Sequence, residues 1–159
     1  MREYPVRTLV CRLYMKNTET TIEEFYSYLY ECKKVKKWFD TFPMTWFTVT
    51  GEYYDVNEVT YFHISPIPFK YGIRCREILP EHRGMLVDIT GLLKGWGRFE
   101  LIPDENGFLL HHELNLQAKS RFVHYYYGLI AKGHDGYMKK RLEVLRGLLI
   151  KEHNANKIR

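Results

Sequence analysis

The sequence has little of what several common protein classes require. Its three cysteines, Cys11, Cys32 and Cys75, are an odd number, stand far apart and form no C-x-x-C pair. That pattern argues against both a disulfide framework and a zinc site, and free thiols suit a reducing compartment. No run of about 18 uncharged apolar residues occurs, and the N-terminus shows no apolar stretch of the signal-peptide kind. We therefore expect a cytoplasmic protein with no signal peptide and no transmembrane segment.

Motifs of nucleophilic, nucleotide-binding and metal chemistry are missing as well. None of the serines stands in a G-x-S-x-G context, and the glycines of 91–97 form neither G-x-G-x-x-G nor a P-loop. His111 and His112 are adjacent, but neighbours on a strand point to opposite faces and cannot bind one ion together. The sequence also lacks His-x-His and H-E-x-x-H. We expect no metal and no cofactor.

The charge balance points to no particular partner. Lys and Arg number 24 against 19 Asp and Glu, a formal excess of +5. Four lysines cluster at 33–37, near the predicted end of a short helix, where cations suit the helix dipole. A nucleic-acid binder usually presents a whole basic face with groove-reading or aromatic elements. We interpret the lysines as a solvated surface and expect no nucleic-acid partner.

The composition is that of a folded globular protein rich in aromatic side chains. Hydrophobic residues make up 45% of the chain and aromatic residues 16%, led by 13 Tyr and 9 Phe. Tyrosine combines an apolar ring with a polar hydroxyl, which suits cavity walls and interfaces. A length of 159 residues fits one domain. We predict a single domain over 1–159, with a flexible tail at 152–159.

Hydrophobic periodicity predicts the order of the elements. A period of two with one apolar face over 6–15 predicts a strand, and helical spacing then predicts two short helices, at about 21–31 and 33–39. From 44 to 117 the pattern is typical of strands joined by short turns. Asn106-Gly107 is the strongest hairpin signal among those turns.

The last part of the chain changes to a helical period from 120 to about 152. Its apolar stripe consists of Met138, Leu142, Leu145 and Leu149, extended upstream by Phe122, Tyr126 and Ile130. Two glycines at 133–136 interrupt the pattern, and each weakens a helix by roughly 1 kcal/mol. We expect either a kink there or two helices, the second capped by Asp135.

This order predicts an α+β fold: a curved antiparallel sheet of about seven strands gripping a long C-terminal helix, with two short helices after strand 1. The glycines of 91–97 suit bulges or a sharply bent sheet. Strands of a strongly bent sheet cannot all reach the helix. The space left between them is a natural site for a small ligand.

The pattern resembles the START-related helix-grip superfamily, which includes pollen-allergen-like proteins and the polyketide cyclase/dehydrase and lipid-transport group. Residues 95–108, GWGRFELIPDENGF, are similar to the late hairpin of that family, and TIEEF at 21–25 to its first helix. The resemblance extends over nearly the whole chain. It implies a cavity for an apolar or amphipathic small molecule that members transport, sense or cyclise. The family has no shared catalytic motif to carry over.

Strand parity and helix phase place one set of residues on the expected inner surface. They are Tyr61, His63, Tyr71, Ile73, Val87, Ile89, Leu110, His112, Leu114, Tyr126, Ile130, Met138 and Leu142. His112 lies on the apolar face of its strand and should point under the helix. It could bind a ligand or act as an acid or base, or it could be a core histidine. His63 is the second such candidate, and for every member of the set ordinary packing is the alternative.

The strand at 94–103 leaves its orientation open. If Trp96 faces inward, Arg98 and Glu100 form a charged spot that could hold a ligand head group. If Phe99 and Leu101 face inward, both charges are solvated. We favour the second arrangement because burying unpaired charges is costly.

Three functional hypotheses follow. The first is binding or transport of a hydrophobic or amphipathic small molecule, lipid- or polyketide-like, in a cavity between the sheet and the C-terminal helix. The second is an enzyme of the cyclase/dehydrase type acting on a polyketide-like or aromatic substrate, with His112 or His63 as acid or base. The third is a protein-interaction module, and a homodimer is possible in each case.

Overall fold

The elements follow one another in the order that the sequence predicts. The computed structural model describes residues 3–41, 44–48, 51–65 and 69–158. In chain order it has β1 (Arg7–Lys16), α1 (Ile22–Tyr30), α2 (Cys32–Phe39), β2 (Thr45–Thr48), β3 (Val59–Ile64), β4 (Phe69–Ile78), a short 3-10 helix (Pro80–His82), β5 (Gly84–Gly91), β6 (Leu93–Pro103), β7 (Gly107–Ala118) and α3 (Arg121–Lys157). The predicted α+β fold, with two short helices after strand 1, is therefore confirmed.

The seven strands form one antiparallel sheet in the order β1-β7-β6-β5-β4-β3-β2. The first strand pairs with the last, from Arg7 opposite Leu116 to Lys16 opposite Gly107. Sharp bending needs local irregularity, and a register shift between Cys75 and Glu77 provides one. Gly84 allows β5 to approach β6 closely, because an added Cβ would overlap the Phe99 carbonyl oxygen. The sheet can therefore curl around α3.

The first short helix, α1, begins at a side-chain cap. Thr21 Oγ1 accepts a hydrogen bond from the Glu24 amide, and the Glu24 carboxylate accepts one from the Thr21 amide. This reciprocal pair is a capping box, which satisfies two of the amides that a helix N-terminus leaves free. Phe25 and Leu29 then face the core from α1, and Trp38 does so from α2. The two helices close one end of the curled sheet and contact α3.

The C-terminal helix is continuous from Arg121 to Lys157. Of the two expected arrangements, a kink or two helices with a cap at Asp135, the second is therefore wrong. An added Cβ at Gly133 or Gly136 would meet nothing within 4 Å, so these glycines lower helix propensity without disturbing a contact. The expected flexible tail at 152–159 is helical as far as Lys157. His153 within it is buried, with its Nδ1 2.8 Å from Glu24 Oε2 of α1.

The predicted apolar stripe of α3 is confirmed downstream, whereas upstream it is wrong for Phe122 and Tyr126. Met138, Leu142, Leu145 and Leu149 are buried as predicted. Upstream, Tyr127 is 3% exposed, whereas Phe122 is 62% exposed. Tyr127 precedes Met138 by eleven residues, about three turns at 3.6 residues per turn, so the two share a face. Tyr126 is one residue out of phase and half-buried.

The two halves of α3 contact different parts of the core. The C-terminal half packs its leucines against Phe25, Trp38, Leu101 and Leu110 in one continuous cluster. The N-terminal half, from Val123 to Tyr127, joins a second cluster on the sheet, which contains Phe62, Val87 and Leu116. The first cluster anchors the helix, and the second leaves space between helix and sheet. Of the helices in the part of the chain that the structure describes, none is both long and apolar enough to cross a membrane.

Candidate functional site

Two adjoining cavities lie inside the curled sheet, and the larger of the two, called the main cavity below, lies between the concave face of the sheet and the N-terminal half of α3. Its volume is about 250 Å³. Its walls are Leu9, Phe39, Thr45, Phe62, Ile64, Tyr71, Leu93, His112, Leu114, Leu116, Tyr127, Ile130, Gly133, His134, Tyr137 and Met138. Every strand except β5 contributes to this wall, and so do α2 and α3. The predicted space between sheet and helix is therefore present.

A smaller cavity of about 60 Å³ adjoins it beneath α1 and α2. Phe39, Tyr71, His112 and Leu114 line both cavities, so the two are neighbours. The other walls of the smaller cavity come from Leu29, Val35, Trp38, Phe47, Tyr54, Ile73, Met85, Val87, Ile89 and Phe99. Most of these side chains are apolar, so a ligand reaching this end would meet mainly hydrocarbon and aromatic surface.

One group of polar atoms in the main cavity is internally satisfied. Tyr137 OH donates to the Phe39 carbonyl oxygen over 2.8 Å and lies 2.7 Å from Thr45 Oγ1. Thr45 Oγ1 lies 2.6 Å from Thr41 Oγ1. The network ties α3 to the end of α2 and to β2. Because these atoms already have partners, they have little need of a ligand.

His112 is the buried polar side chain at the junction of the two cavities. It is 4% exposed, and its ring stacks on Phe99 with centroids 4.0 Å apart. Nδ1 lies 3.1 Å from Cys11 Sγ on the neighbouring strand β1. Nε2 is buried and has no hydrogen-bond partner within residues 3–41, 44–48, 51–65 and 69–158. A buried polar atom left without a partner is costly, which singles this nitrogen out.

Tyr127 carries a second such atom on the opposite wall. Its hydroxyl is buried and, in the described part of the chain, is unpartnered too. The guanidinium carbon of Arg7 lies 6.0 Å from the Tyr127 ring centroid. Burial raises the pKa of Tyr127 to about 12, so the hydroxyl keeps its proton at neutral pH. The cavity thus has a neutral polar group on its sheet side and another on its helix side.

Burial, with smaller contributions from His134 and His111, lowers the pKa of His112 from its ordinary 6.5 to about 3. The unfolded chain therefore binds this proton near pH 6.5, and the folded protein only near pH 3. Between these values the unfolded state holds more protons, so falling pH favours unfolding by up to about 1.4 kcal/mol per pH unit. The His112 contribution is fully present above pH 6.5 and is lost towards pH 3.

We expect this loss to disappear in His112→Gln. Urea unfolding of wild type and variant at pH 7, 6 and 5 measures the difference in stability. The contributions of His134 and the other histidines cancel in this difference, because both proteins contain them. The stability of wild type relative to the variant should fall by about 2 kcal/mol between pH 7 and 5. A difference that stays constant with pH would contradict the buried, neutral state of His112.

The structure places most of the predicted inner residues together. Tyr71, Ile73, Val87, Ile89, His112, Leu114, Ile130 and Met138 line one or both cavities. The strand at 94–103 has the favoured orientation. Phe99 lines the smaller cavity, and Arg98 pairs with Glu100 over 2.7 Å at the partly exposed opposite face. Whether these residues bind a ligand stays a prediction.

The predicted orientation of β3 is wrong. Thr60 and Phe62 are buried, whereas Tyr61 lies outside with Lys70 Nζ 4.0 Å from its ring centroid. His63 stacks on Trp46 on that outer face, at a centroid distance of 4.9 Å. Neither Tyr61 nor His63 lines a cavity in the described residues. His63 is therefore not placed to act as an acid or base in the cavity.

Three further predicted residues lie elsewhere. Leu110 and Leu142 are buried in the cluster that anchors the C-terminal half of α3, and neither lines the two cavities described above. Tyr126 lies beside Phe122, with ring centroids 4.4 Å apart, because it is one residue out of phase with the buried stripe. Tyr127 takes the place that was predicted for Tyr126. The helical phase set by Met138 is the signal that identifies it.

The cavity walls carry no formal charge. Among the described residues that line the two cavities, there is no Lys, Arg, Asp or Glu. Burial also lowers the pKa of His134, although Asp135 acts in the opposite direction. Within the described ranges, no three His, Cys, Asp or Glu side chains come together in a way that could hold a metal ion. His111 instead contacts Arg12 and Glu113.

Comparison with known proteins gives similarity in structure and none in sequence. No protein-family model matches the chain, and no curated protein matches it. Norcoclaurine synthase from Thalictrum flavum, solved as a point mutant with a transition-state analogue, has a TM-score of 0.66 at 13% identity, over 96% of this chain and 98% of that one.

Two other solved structures are similar to the same extent. A protein from Mycobacterium smegmatis has a TM-score of 0.64 at 11% identity, over 93% of this chain and 97% of that one. The Aha1 dimer from Colwellia psychrerythraea has a TM-score of 0.60 at 13% identity, over 88% and 96%. Identities this low establish the fold alone. The chain has the helix-grip fold, as the sequence resemblance predicts.

Proposed function

We propose that the protein binds a compact, largely apolar small molecule in the main cavity. The observation that carries the proposal is an uncharged cavity of about 250 Å³ whose wall includes the buried side chain of His112. Burial of apolar ligand surface would supply the affinity, at about 25 cal/mol per Å². The few polar groups would orient the ligand, which is the usual division of roles in small-molecule sites.

The volume favours a ring compound over a long-chain lipid. An apolar cavity of about 150 Å³ accepts benzene, and drug-sized ligands occupy pockets of roughly 300–1,000 Å³. The main cavity, at about 250 Å³, lies between these cases. One ring or two fused rings would fit, whereas a long acyl chain would need the cavity to expand. Of the two ligand types expected from the sequence, the aromatic polyketide-like one is better supported.

Native mass spectrometry of freshly purified protein tests this proposal. We expect a population with an added small-molecule mass that disappears after denaturation and refolding. Addition of 2-acetylnaphthalene to the refolded protein should then raise its melting temperature, since a ligand that binds only the folded state stabilises it. If no small molecule copurifies and no one- or two-ring compound raises the melting temperature, the proposal fails.

An enzyme of the cyclase/dehydrase type is the second candidate. The norcoclaurine synthase from Thalictrum flavum, which shares the fold, binds dopamine and hydroxybenzaldehyde in one structure. A general acid or base works best with a pKa near the operating pH. The pKa of His112, about 3, suits a hydrogen-bonding role better than proton transfer at neutral pH. Turnover unchanged in His112→Phe would remove this residue from any catalytic role.

An interaction role, self-association included, stays a further prediction. Phe122, Tyr125 and Leu129 follow one another at helical spacing on α3 and are all exposed. Such a row could contact another protein or a second copy of this chain. A cytoplasmic location, expected from the free thiols, is likewise a prediction.

A further inference from the structure

Two unpartnered polar atoms indicate the chemistry of the ligand, an inference that rests on the proposed function. His112 Nε2 and Tyr127 OH are buried, belong to residues that line the main cavity, and make no hydrogen bond to the described residues. The other polar side chains of the wall include Thr45 and Tyr137, which are already bonded to each other. Nε2 lies at the end of the imidazole ring farther from the backbone. Both atoms are covered in this structure, so a ligand reaches them when a neighbouring side chain shifts.

The contact with Cys11 decides which kind of group His112 offers. Burial raises the pKa of Cys11 to about 12, so the sulfur carries its proton. A thiol is a weak donor and sulfur a weak acceptor, whereas the bare nitrogen of a neutral imidazole is a good acceptor. The 3.1 Å contact is therefore best made with Cys11 S–H donating to Nδ1. The remaining proton of the neutral ring then sits on Nε2, which makes Nε2–H a donor.

The charge of the cavity excludes one class of acceptor. A carboxylate buried without a cationic partner is far more costly than a buried carbonyl. None of the described lining residues is Lys or Arg, and His112 is neutral at physiological pH. Arg7 lies against the Tyr127 ring but is not part of the wall. An anionic ligand such as a fatty acid would therefore lose its hydration without compensation.

We infer that the cavity selects neutral ring compounds that carry a hydrogen-bond acceptor, with His112 Nε2–H donating to that acceptor. A carbonyl oxygen on one or two rings meets both requirements. Tyr127 OH, which can donate or accept, could bind a second polar group of the same ligand. His112 is thereby assigned as the residue that determines specificity, and Cys11 as the residue that positions its proton.

Three compounds of nearly equal shape test the inference: 2-acetylnaphthalene, 2-ethylnaphthalene and 2-naphthoate. They present a neutral acceptor, no polar group and a carboxylate on the same ring system. We expect the ketone to bind the wild-type protein about tenfold more tightly than the hydrocarbon, because it satisfies a buried donor. The carboxylate should bind at least tenfold more weakly than the ketone. Isothermal titration at pH 7.5 measures all three affinities.

Matched variants identify the donor. His112→Phe should remove the preference for the ketone over the hydrocarbon, and Tyr125→Phe, which deletes an exposed hydroxyl outside the cavity, should keep it. If Tyr127→Phe removes the preference and His112→Phe does not, the assignment to His112 is overturned. Equal affinities of ketone and hydrocarbon in the wild type overturn the inference and leave the proposed function intact. Binding of none of the three compounds would instead count against the proposed function.

Nuclear magnetic resonance of protein labelled with ¹⁵N-histidine tests the proton position without depending on any variant's affinity. Nε2 of His112 should show the shift of a protonated nitrogen and Nδ1 that of an unprotonated one at pH 7. Cys11→Ser, which keeps a donor, should preserve this tautomer. An unprotonated Nε2 in the wild type would overturn the inference, because the ligand would then have to bring a donor.

Discussion

Replacing Leu145 with alanine is expected to lower the free energy of unfolding by about 2–5 kcal/mol. Leu145 is 0% exposed and lies in the cluster formed by α3, α1 and the β1–β7–β6 part of the sheet. Truncation removes apolar contacts on all sides and leaves a hole that close-packed neighbours fill only in part. Phe25, Trp38 and Leu101 are members of the same cluster, so the loss would loosen the attachment of α1 and α2 as well.

The adjacent residue provides the control. Val144 is 37% exposed on the same helix, and its replacement by alanine should change stability by about 0.5 kcal/mol or less. Urea unfolding followed by circular dichroism measures both variants with one protocol. A similar loss in the two variants would mean that Leu145 does not anchor α3. A large loss of stability in the Leu145 variant alone would mean that the C-terminal half of α3 holds the helix to the core.

This division of α3 explains how a stable protein can keep a cavity. The C-terminal half buries a full apolar stripe, and the N-terminal half spans the open part of the curled sheet. The anchored half fixes the position of Tyr127, Ile130 and Met138 over the sheet. The position of the helix therefore does not depend on contacts between these residues and β3 or β4. Space remains where a packed core would otherwise form.

Strand faces could be predicted where polar and apolar residues alternate clearly. On β7, Leu110, His112 and Leu114 alternate with His111 and Glu113, and the predicted inner face is confirmed. On β3 both faces carry apolar residues, so alternation does not distinguish them, and the prediction that Tyr61 and His63 face inward is wrong. The outer face is occupied by cross-strand pairs, Tyr61 with Lys70 and His63 with Trp46, which stabilise large rings in contact with solvent.

The site could be predicted from sequence only where one element determines it. His112 is identified by its strand alone. Trp38 and Phe39 line the smaller cavity from α2, and their position depends on how a short helix docks across the sheet. No periodicity in 32–39 encodes that docking, because it follows from tertiary packing. The volume of the cavity is set in the same way, by side chains from many elements that meet only in the folded chain.

Ile130→Trp is expected to abolish ligand binding while the protein stays folded. Ile130 lines the main cavity from α3 and is half-buried, so a larger ring at this position can turn into the space. An indole that displaces about 120 Å² of apolar ligand contact removes roughly 3 kcal/mol, or about 100-fold in affinity. The free energy of unfolding should be unchanged or higher, since the added ring replaces empty volume with contacts.

Leu129→Trp is the matched control, because Leu129 is the preceding residue, points outward and is 50% exposed. It introduces the same ring on the same turn and should leave the affinity for 2-acetylnaphthalene within about twofold of wild type. Leu114→Phe fills the cavity from the sheet side and keeps the test decisive if the helix variant is unstable. Full-affinity binding to a folded Ile130→Trp protein would mean that the ligand sits elsewhere. Loss in both filled variants and retention in the control would place it between α3 and the sheet, because only that space is common to the two substitutions.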